Sequence, residues 1–116
     1  MQTALQFRWR GVVPGRENDA MKFAADTNAH WGAHAQSGRC KPPVWWMGQG
    51  HAGNILAVEG EHDQLLELVM APDMQRLIAR GDQILEDFCW EVYHVGEGAE
   101  AFVNTWFEVA GELGNL

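Results

Sequence analysis

The sequence is poor in cysteine, and it contains no long apolar run. Its two cysteines, Cys40 and Cys89, are too few and too far apart for a disulfide framework or a zinc knuckle. No stretch approaches the ~20 apolar residues of a membrane span, and the N-terminal MQTALQFRWR lacks the apolar segment of a signal peptide. From these absences we expect a soluble, cytoplasmic protein that does not span a membrane.

Basic residues are also scarce. The chain has 8 Lys and Arg residues against 16 Asp and Glu residues, which gives a net charge of −8. This charge repels phosphate backbones and anionic lipid, so we expect binding to neither nucleic acid nor a membrane surface. Six of the eight basic residues fall in the first 41 positions: Arg8, Arg10, Arg16, Lys22, Arg39 and Lys41. They indicate either charge complementarity between the two halves of one domain or a functional basic patch.

Tryptophan, in contrast, is abundant, with six residues in a chain of 116. Each tryptophan buries a large area and its indole N–H needs a partner, so several are expected to line an interface or a pocket. The stretch VWWMGQG, residues 44–50, places Trp45 and Trp46 side by side on one predicted strand. A strand that is apolar on both faces is an aggregation hazard unless both faces are covered.

The spacing of the apolar residues predicts seven elements in the order strand, helix, strand, strand, helix, strand, helix. The predicted strands span residues 4–12, 43–50, 55–60 and 88–95, with a hairpin connection at 51–54, and the predicted helices span 20–36, 61–85 and 98–116. Within the last of these, Val103, Thr105, Trp106, Phe107 and Val109 would also suit a strand. Pro72 is expected to break or kink the second helix after Met70. The length and the apolar content of 47% predict a single domain over residues 1–116.

This order is the α+β class with a split βαββαβ arrangement, a four-stranded antiparallel sheet with helices on one face, plus a C-terminal helix. Over about residues 4–95, the chain resembles the ferredoxin-like dimeric α+β barrel superfamily. The resemblance lies in the element order, in FRWRG at the start, in the Trp-rich second strand and in APDMQRLIARGDQIL before the last strand. It implies that ligands bind between sheet and helices, or inside a barrel formed by two sheets packed face to face. It also implies that residues 44–48 form an edge strand, so we expect a homodimer whose second copy covers this edge.

Strand alternation places charged residues on the sheet face away from the helices. Arg8, Arg10, Glu91 and Tyr93 are predicted to share this face. The resemblance makes their two strands neighbours, so Arg8 or Arg10 is expected to oppose Glu91. Because guanidinium groups bind carboxylates in a bidentate manner, this face could hold a planar or anionic ligand. Alternatively, the charges form cross-strand ion pairs that fix strand pairing and dimer register.

His30 and His34 are four residues apart on the first predicted helix, a spacing at which two imidazoles can bind one metal. The sequence offers no HExxH motif and no evident third ligand, so we expect neither a metal nor a cofactor. The two histidines are interpreted as partly buried residues with hydrogen-bond partners. They could also serve as a polar contact or a base at a small-molecule pocket beneath the helix.

These features favour a dimeric small-molecule binding protein with an aromatic-lined pocket for an apolar or aromatic ligand. The candidate ligand-binding residues are Arg8, Arg10, His30, His34, Trp45, Trp46, Glu91 and Tyr93. The resemblance also implies an alternative, an enzyme such as a cofactor-independent monooxygenase acting on an aromatic substrate, or a heme-using relative. A third interpretation is a structural or interaction dimer without a ligand. Whether the chain is an enzyme therefore stays open at this point.

Overall fold

The computed structural model describes residues 2–50 and 53–115. Its strands are β1 (Gln2–Trp9), β2 (Gly11–Val12), β3 (Val44–Met47), β4 (Asn54–Glu61), β5 (Leu85–Glu86) and β6 (Cys89–His94). Its helices are α1 (Glu17–Gln36), α2 (His62–Met70), α3 (Pro72–Ile84) and α4 (Glu97–Glu112). The predicted α+β class and the C-terminal helix are confirmed.

Four strands form one antiparallel sheet in the order β3, β4, β1 and β6. β1 is central, since Leu5 lies opposite Val58 on one side and Val92 on the other. β3 lies at one edge of the sheet, as expected, and β6 lies at the other. Residues 51 and 52 of the predicted hairpin lie outside the described residues.

The hydrophobic core lies between this sheet and α1, α2 and α3. Leu5, Phe7, Leu56 and Val58 project from one face of the sheet and are buried. The helices cover them with Phe23 and Trp31 from α1, Leu65, Leu68 and Val69 from α2, and Met74, Leu77 and Ile84 from α3. The predicted placement of helices on one face of the sheet is therefore confirmed.

Proline and glycine end the helices where the sequence predicts. Ala71 has an extended backbone after α2, and Pro72 then occupies the first turn of α3, where its missing N–H costs no hydrogen bond. α1 ends before Gly38, whose φ of +75° lies in the left-handed region that favours glycine. None of the described helices is long and apolar enough to cross a membrane.

The first strand is shorter than predicted, because the chain bends at Arg10. It resumes as β2, which pairs with β5 in a two-stranded ribbon that apolar spacing does not predict. The backbone N–H of Arg10 donates to the carbonyl of Glu86 at 2.9 Å, which fixes the bend beside β5. Arg10 therefore lies outside the main sheet.

α4 extends away from the rest of the molecule. Its first turn packs closely on β1, since a Cβ at Gly98 would collide with the backbone of Gln2. Phe102 stacks on His94 with 4.7 Å between ring centroids. Beyond this turn, every residue from 100 to 115 is exposed except Ala110. The radius of gyration is 16.5 Å, whereas a compact chain of this length has about 13 Å.

Phe7 links the sheet to the helices, and its loss should be costly. Its ring lies 6.3 Å from Trp31 and 6.1 Å from Phe88, between centroids, and it is buried. We expect Phe7→Ala to lower the free energy of unfolding by about 3–5 kcal/mol, because a cavity replaces the ring. Urea unfolding measures this change, with exposed Met70→Ala as the control. Equal effects of the two substitutions would contradict the described core.

Candidate functional site

The two adjacent tryptophans of β3 point to opposite faces of the sheet. Trp45 lies on the helix side, where its ring meets Trp9 at 6.0 Å between centroids in an edge-to-face contact. Trp46 lies on the opposite face, called here the outer face, and is 54% exposed. The protein therefore covers one side of this strand with its own helices and leaves the other side open.

Beneath α1, the structure has an open cavity of about 730 Å³, called here the α1 pocket. The first half of α1 forms one wall and the sheet edge forms the other. Its lining is Trp9, Val12, Glu17, Ala20, Met21, Phe23, Ala24, Ala25, Asn28, Trp45, Met47 and Leu85. Most of these side chains are apolar, and Glu17 is the one ionisable residue among the described lining residues.

Asn28 provides the polar contact inside this pocket. The indole N–H of Trp45 donates to Asn28 Oδ1 at 2.8 Å, so α1 and β3 are joined across the pocket. This bond fixes the ring of Trp45 and orients the amide of Asn28. The amide NH₂ has no hydrogen-bond partner among the described residues and can donate to a bound molecule. Sequence reasoning missed Asn28, because its position on the helix gave no sign of a partner on β3.

The outer face carries charged groups, but their predicted pairing is wrong in one respect. Glu91 lies opposite Gln6, and Arg8 lies opposite Cys89. Arg8 instead donates from Nη1 to the hydroxyl oxygen of Tyr93 at 3.1 Å. Alternation alone does not determine the register between β1 and β6. The observed register is shifted by two residues from the one that would pair Arg8 with Glu91. Arg8, Glu91 and Tyr93 do share this face, as predicted.

Arg10 does not join them, because the bend after β1 takes it to the β2–β5 ribbon. Its guanidinium group contacts Asp87 Oδ2 at 2.8 Å and Glu86 Oε2 at 3.1 Å. These two carboxylates raise the pKa of Arg10, the hydrogen bond to Asp87 most of all. Arg10 is therefore already occupied by two acidic partners, and its predicted pairing with Glu91 is wrong.

His30 and His34 lie together on the second half of α1, outside the lining of the α1 pocket. Their rings are in edge-to-face contact at 4.7 Å between centroids. Asp73, in the first turn of α3, places Oδ2 3.8 Å from Nδ1 of His30. The structure thus supplies a third polar group that the sequence spacing did not reveal.

The ligand atoms of His30, His34 and Asp73 lie within 4.8 Å of one another, which makes them the described group best placed to hold a cation. His30 Nδ1 and Asp73 Oδ2 are 3.8 Å apart, which is wider than the roughly 3.3 Å between two ligands of a tetrahedral zinc ion. Arg39 Nη1 also lies 3.2 Å from Nδ1 of His34, where it places a positive charge beside the cluster. The predicted hydrogen-bond partner is missing at His30, since its Nε2 is buried without a partner among the described residues and its Nδ1 lies 3.8 Å from Asp73. The cluster is therefore a polar contact between α1 and α3.

Burial lowers the pKa of His30 below its ordinary value; His34 adds to this effect and Asp73 opposes it. Between about pH 6.5, the ordinary pKa of the unfolded chain, and the lowered pKa of the folded chain, the unfolded chain binds more protons at His30, so the free energy of unfolding falls as the pH falls through this range. We expect His30→Gln to make that decline shallower. Urea unfolding between about pH 7 and pH 5 tests this. The control is His62→Gln, at a more exposed histidine, and equal slopes in both variants would refute the assignment.

Comparisons with known proteins identify the fold. No protein-family model matches the sequence, and no curated protein matches it. SnoaB, a cofactor-independent oxygenase from Streptomyces nogalater, has a TM-score of 0.64 at 9% identity, covering 81% of this chain and 92% of that one. A hydroxynitrile lyase from Passiflora edulis has a TM-score of 0.64 at 11% identity, with 83% and 94% covered. A dimeric ferredoxin-like protein of unknown function from Thermobifida fusca has a TM-score of 0.61 at 11% identity, with 80% and 90% covered.

The chain therefore has the ferredoxin-like fold, as the sequence resemblance implied. At these identities the similarity concerns the fold. One similar structure is named an oxygenase and another a lyase, so the same arrangement of strands and helices supports different chemistries.

Proposed function

We propose that this chain is a homodimeric protein that binds a small, flat and largely apolar molecule in the α1 pocket. The observation that carries the proposal is the open aromatic cavity beneath α1, in which the hydrogen bond from Trp45 to Asn28 fixes one wall. Ligand pockets in proteins are typically mostly apolar, with a few well-placed polar groups. The α1 pocket has this composition.

The lining also indicates the chemistry of the ligand. Aromatic side chains such as Trp9, Phe23 and Trp45 offer surfaces on which a planar apolar molecule packs. The Asn28 amide can donate one or two hydrogen bonds, so it favours a ligand with a carbonyl or hydroxyl oxygen. Glu17 disfavours an anionic ligand by charge repulsion. A neutral aromatic compound with one oxygen acceptor fits these conditions.

Filling the pocket with a larger side chain should weaken binding. Ala24 lines the pocket from α1, and a tryptophan there would occupy the space available to a ligand. With the apolar dye N-phenyl-naphthylamine as the probe, we expect Ala24→Trp to weaken binding at least about tenfold, a loss of about 1.4 kcal/mol. Dye fluorescence during titration measures the affinity. The matched control is Ala35→Trp, on the same helix outside the described lining.

The result with this control separates pocket binding from unspecific binding. Retained affinity in Ala35→Trp together with lost affinity in Ala24→Trp supports the α1 pocket. Equal affinities in both variants and in the unmodified protein would overturn the proposed site. Circular dichroism of each variant checks that the helices remain folded.

The exposed residues of the outer face support the proposed homodimer. Trp46 and Val44 leave apolar surface exposed there, and an uncovered apolar edge strand favours association. Glu91 has no ion-pair partner among the described residues, and Arg8 has only the hydroxyl group of Tyr93. In a two-fold dimer, Arg8 of each copy can meet Glu91 of the other, because such an interface is self-complementary. Similar structures include a protein described as dimeric.

A charge exchange tests this contact between copies. We expect Arg8→Glu to raise the dimer dissociation constant about tenfold, because two acids then face each other. Glu91→Arg should act in the same direction. The double variant Arg8→Glu with Glu91→Arg should restore dimerisation if the two residues pair. Sedimentation velocity at micromolar concentrations measures the dissociation constants, and no recovery in the double variant would argue against the pairing.

In this proposal, Trp45 contacts the ligand, whereas Arg8, Trp46, Glu91 and Tyr93 serve the dimer. His30 and His34 lie outside the pocket, beside Asp73 of α3, and Arg10 is bound to acidic residues of the ribbon. We assign no reaction, because Glu17 is the one ionisable group among the described residues of the pocket lining. The proposal therefore keeps the binding function favoured by the sequence and changes the residues that carry it.

A further inference from the structure

The apolar face of α4 is the largest exposed hydrophobic feature of the described chain. Its members are Phe102, Val103, Trp106, Phe107, Val109 and Leu113, and each is 44–69% exposed. On a helix with 3.6 residues per turn, these six positions fall on one side. The opposite side carries Asn104, Glu108 and Glu112. α4 is therefore an amphipathic helix whose apolar face, apart from the stacking of Phe102 on His94, has no cover among the described residues.

An amphipathic helix is only weakly stable while its apolar face is exposed to water. Helices of this length are marginal when isolated, and an amphipathic helix in a protein is held mainly by burying its apolar face. α4 is anchored at Gly98 in its first turn and at Phe102 in its second, while its remaining turns project into solvent. A partner surface is therefore needed to explain why three aromatic residues stand on this face.

We propose that α4 is a clasp that packs on the outer side of β3 in a second copy of the chain. This inference rests on the homodimer of the proposed function and assigns a further contact to it. On the outer face of the main sheet, the exposed large apolar side chains are Val44 and Trp46 of β3. The apolar face of α4 and the outer side of β3 are both exposed apolar patches, so packing one on the other would remove both from water.

The topology explains why this contact forms between copies. α4 packs on β1 and β6, at one edge of the sheet, whereas β3 is the opposite edge strand. A two-fold axis would place α4 of each copy on β3 of the other, so that the contact occurs twice. α4 also lies beyond the βαββαβ unit. That unit, residues 2–94, is 93 of 116 residues, about 80% of the chain, close to the 80–83% covered by the three similar structures.

The apolar area and the charge of α4 are consistent with a second copy of the chain as its partner. Three half-exposed aromatic and three aliphatic side chains offer on the order of 500 Å² per helix, so two clasps approach the roughly 1,000 Å² that a specific interface requires. The helix carries four acidic residues, Glu97, Glu100, Glu108 and Glu112, and no basic residue. This charge disfavours an anionic lipid surface as the occupant.

The test compares charges placed on the two sides of α4. Trp106→Glu puts a carboxylate into the proposed contact, and Asn104→Glu adds the same charge on the opposite side of the same helix. We expect Trp106→Glu to raise the dimer dissociation constant at least about tenfold, and Asn104→Glu to leave it within about twofold of the unmodified protein. Sedimentation velocity measures all three, and urea unfolding confirms that the core of each variant is intact.

A double-mutant cycle then locates the contact on β3. Trp46→Glu should also weaken the dimer, and the double variant with Trp106→Glu should lose less affinity than the sum of the two single losses, because both remove the same contact. Additive losses would overturn the assignment to β3. A normal dimer in Trp106→Glu would overturn the clasp and leave the homodimer in place. A monomeric unmodified protein would overturn both.

Discussion

The packing of α1 against the sheet is the contact on which the rest of the described structure depends. Trp31 and Phe23 bury their rings against Phe7 and Phe88 at the centre of that contact. This packing fixes the helix at its middle and determines what lies at its two halves. The α1 pocket opens beside its first half, and the polar cluster with Asp73 lies beside its second half. A shift of α1 would change both together.

Much of this architecture could be predicted from the sequence, because it follows from local periodicity. The alternation in β1 and β6, the helical stripe through Phe23 and Trp31, and the break at Pro72 each depend on residues close together in the chain. The registers of the strands, in contrast, depend on residues far apart in the chain. Glu91 meets Gln6 instead of Arg8 because pairing depends on the whole ladder, and the bend at Arg10 depends on Glu86, far along the chain.

The candidate site was harder to predict for the same reason. Trp45 and Trp46 were recognisable as functional candidates by their number and position, but their spacing could not tell which of them faced the helices. Asn28 and Asp73 belong to these sites because of long-range contacts: Asn28 contacts β3, and Asp73 contacts α1. No short pattern in the sequence marks either residue. A site made of side chains from several elements is visible only when the elements are assembled.

Taken together, the inward and outward faces of β3 give one physical account of the VWWM segment. Trp45 is held by Asn28 and forms a wall of the pocket, while Trp46 and Val44 provide surface for association. Ligand binding and dimerisation would thus share one short edge strand. In the proposed dimer, a ligand beneath α1 would contact the same strand that the partner would cover, so dimerisation would stiffen the wall of the pocket and lower the ordering cost of binding.

The most direct test of the account is native mass spectrometry of the purified protein under conditions that retain small molecules. The account predicts a species of twice the chain mass of 13.0 kDa that takes up N-phenyl-naphthylamine when this dye is added. A monomer that takes up no dye would contradict it, because neither the outer face of β3 nor the α1 pocket would then have the role derived from its residues.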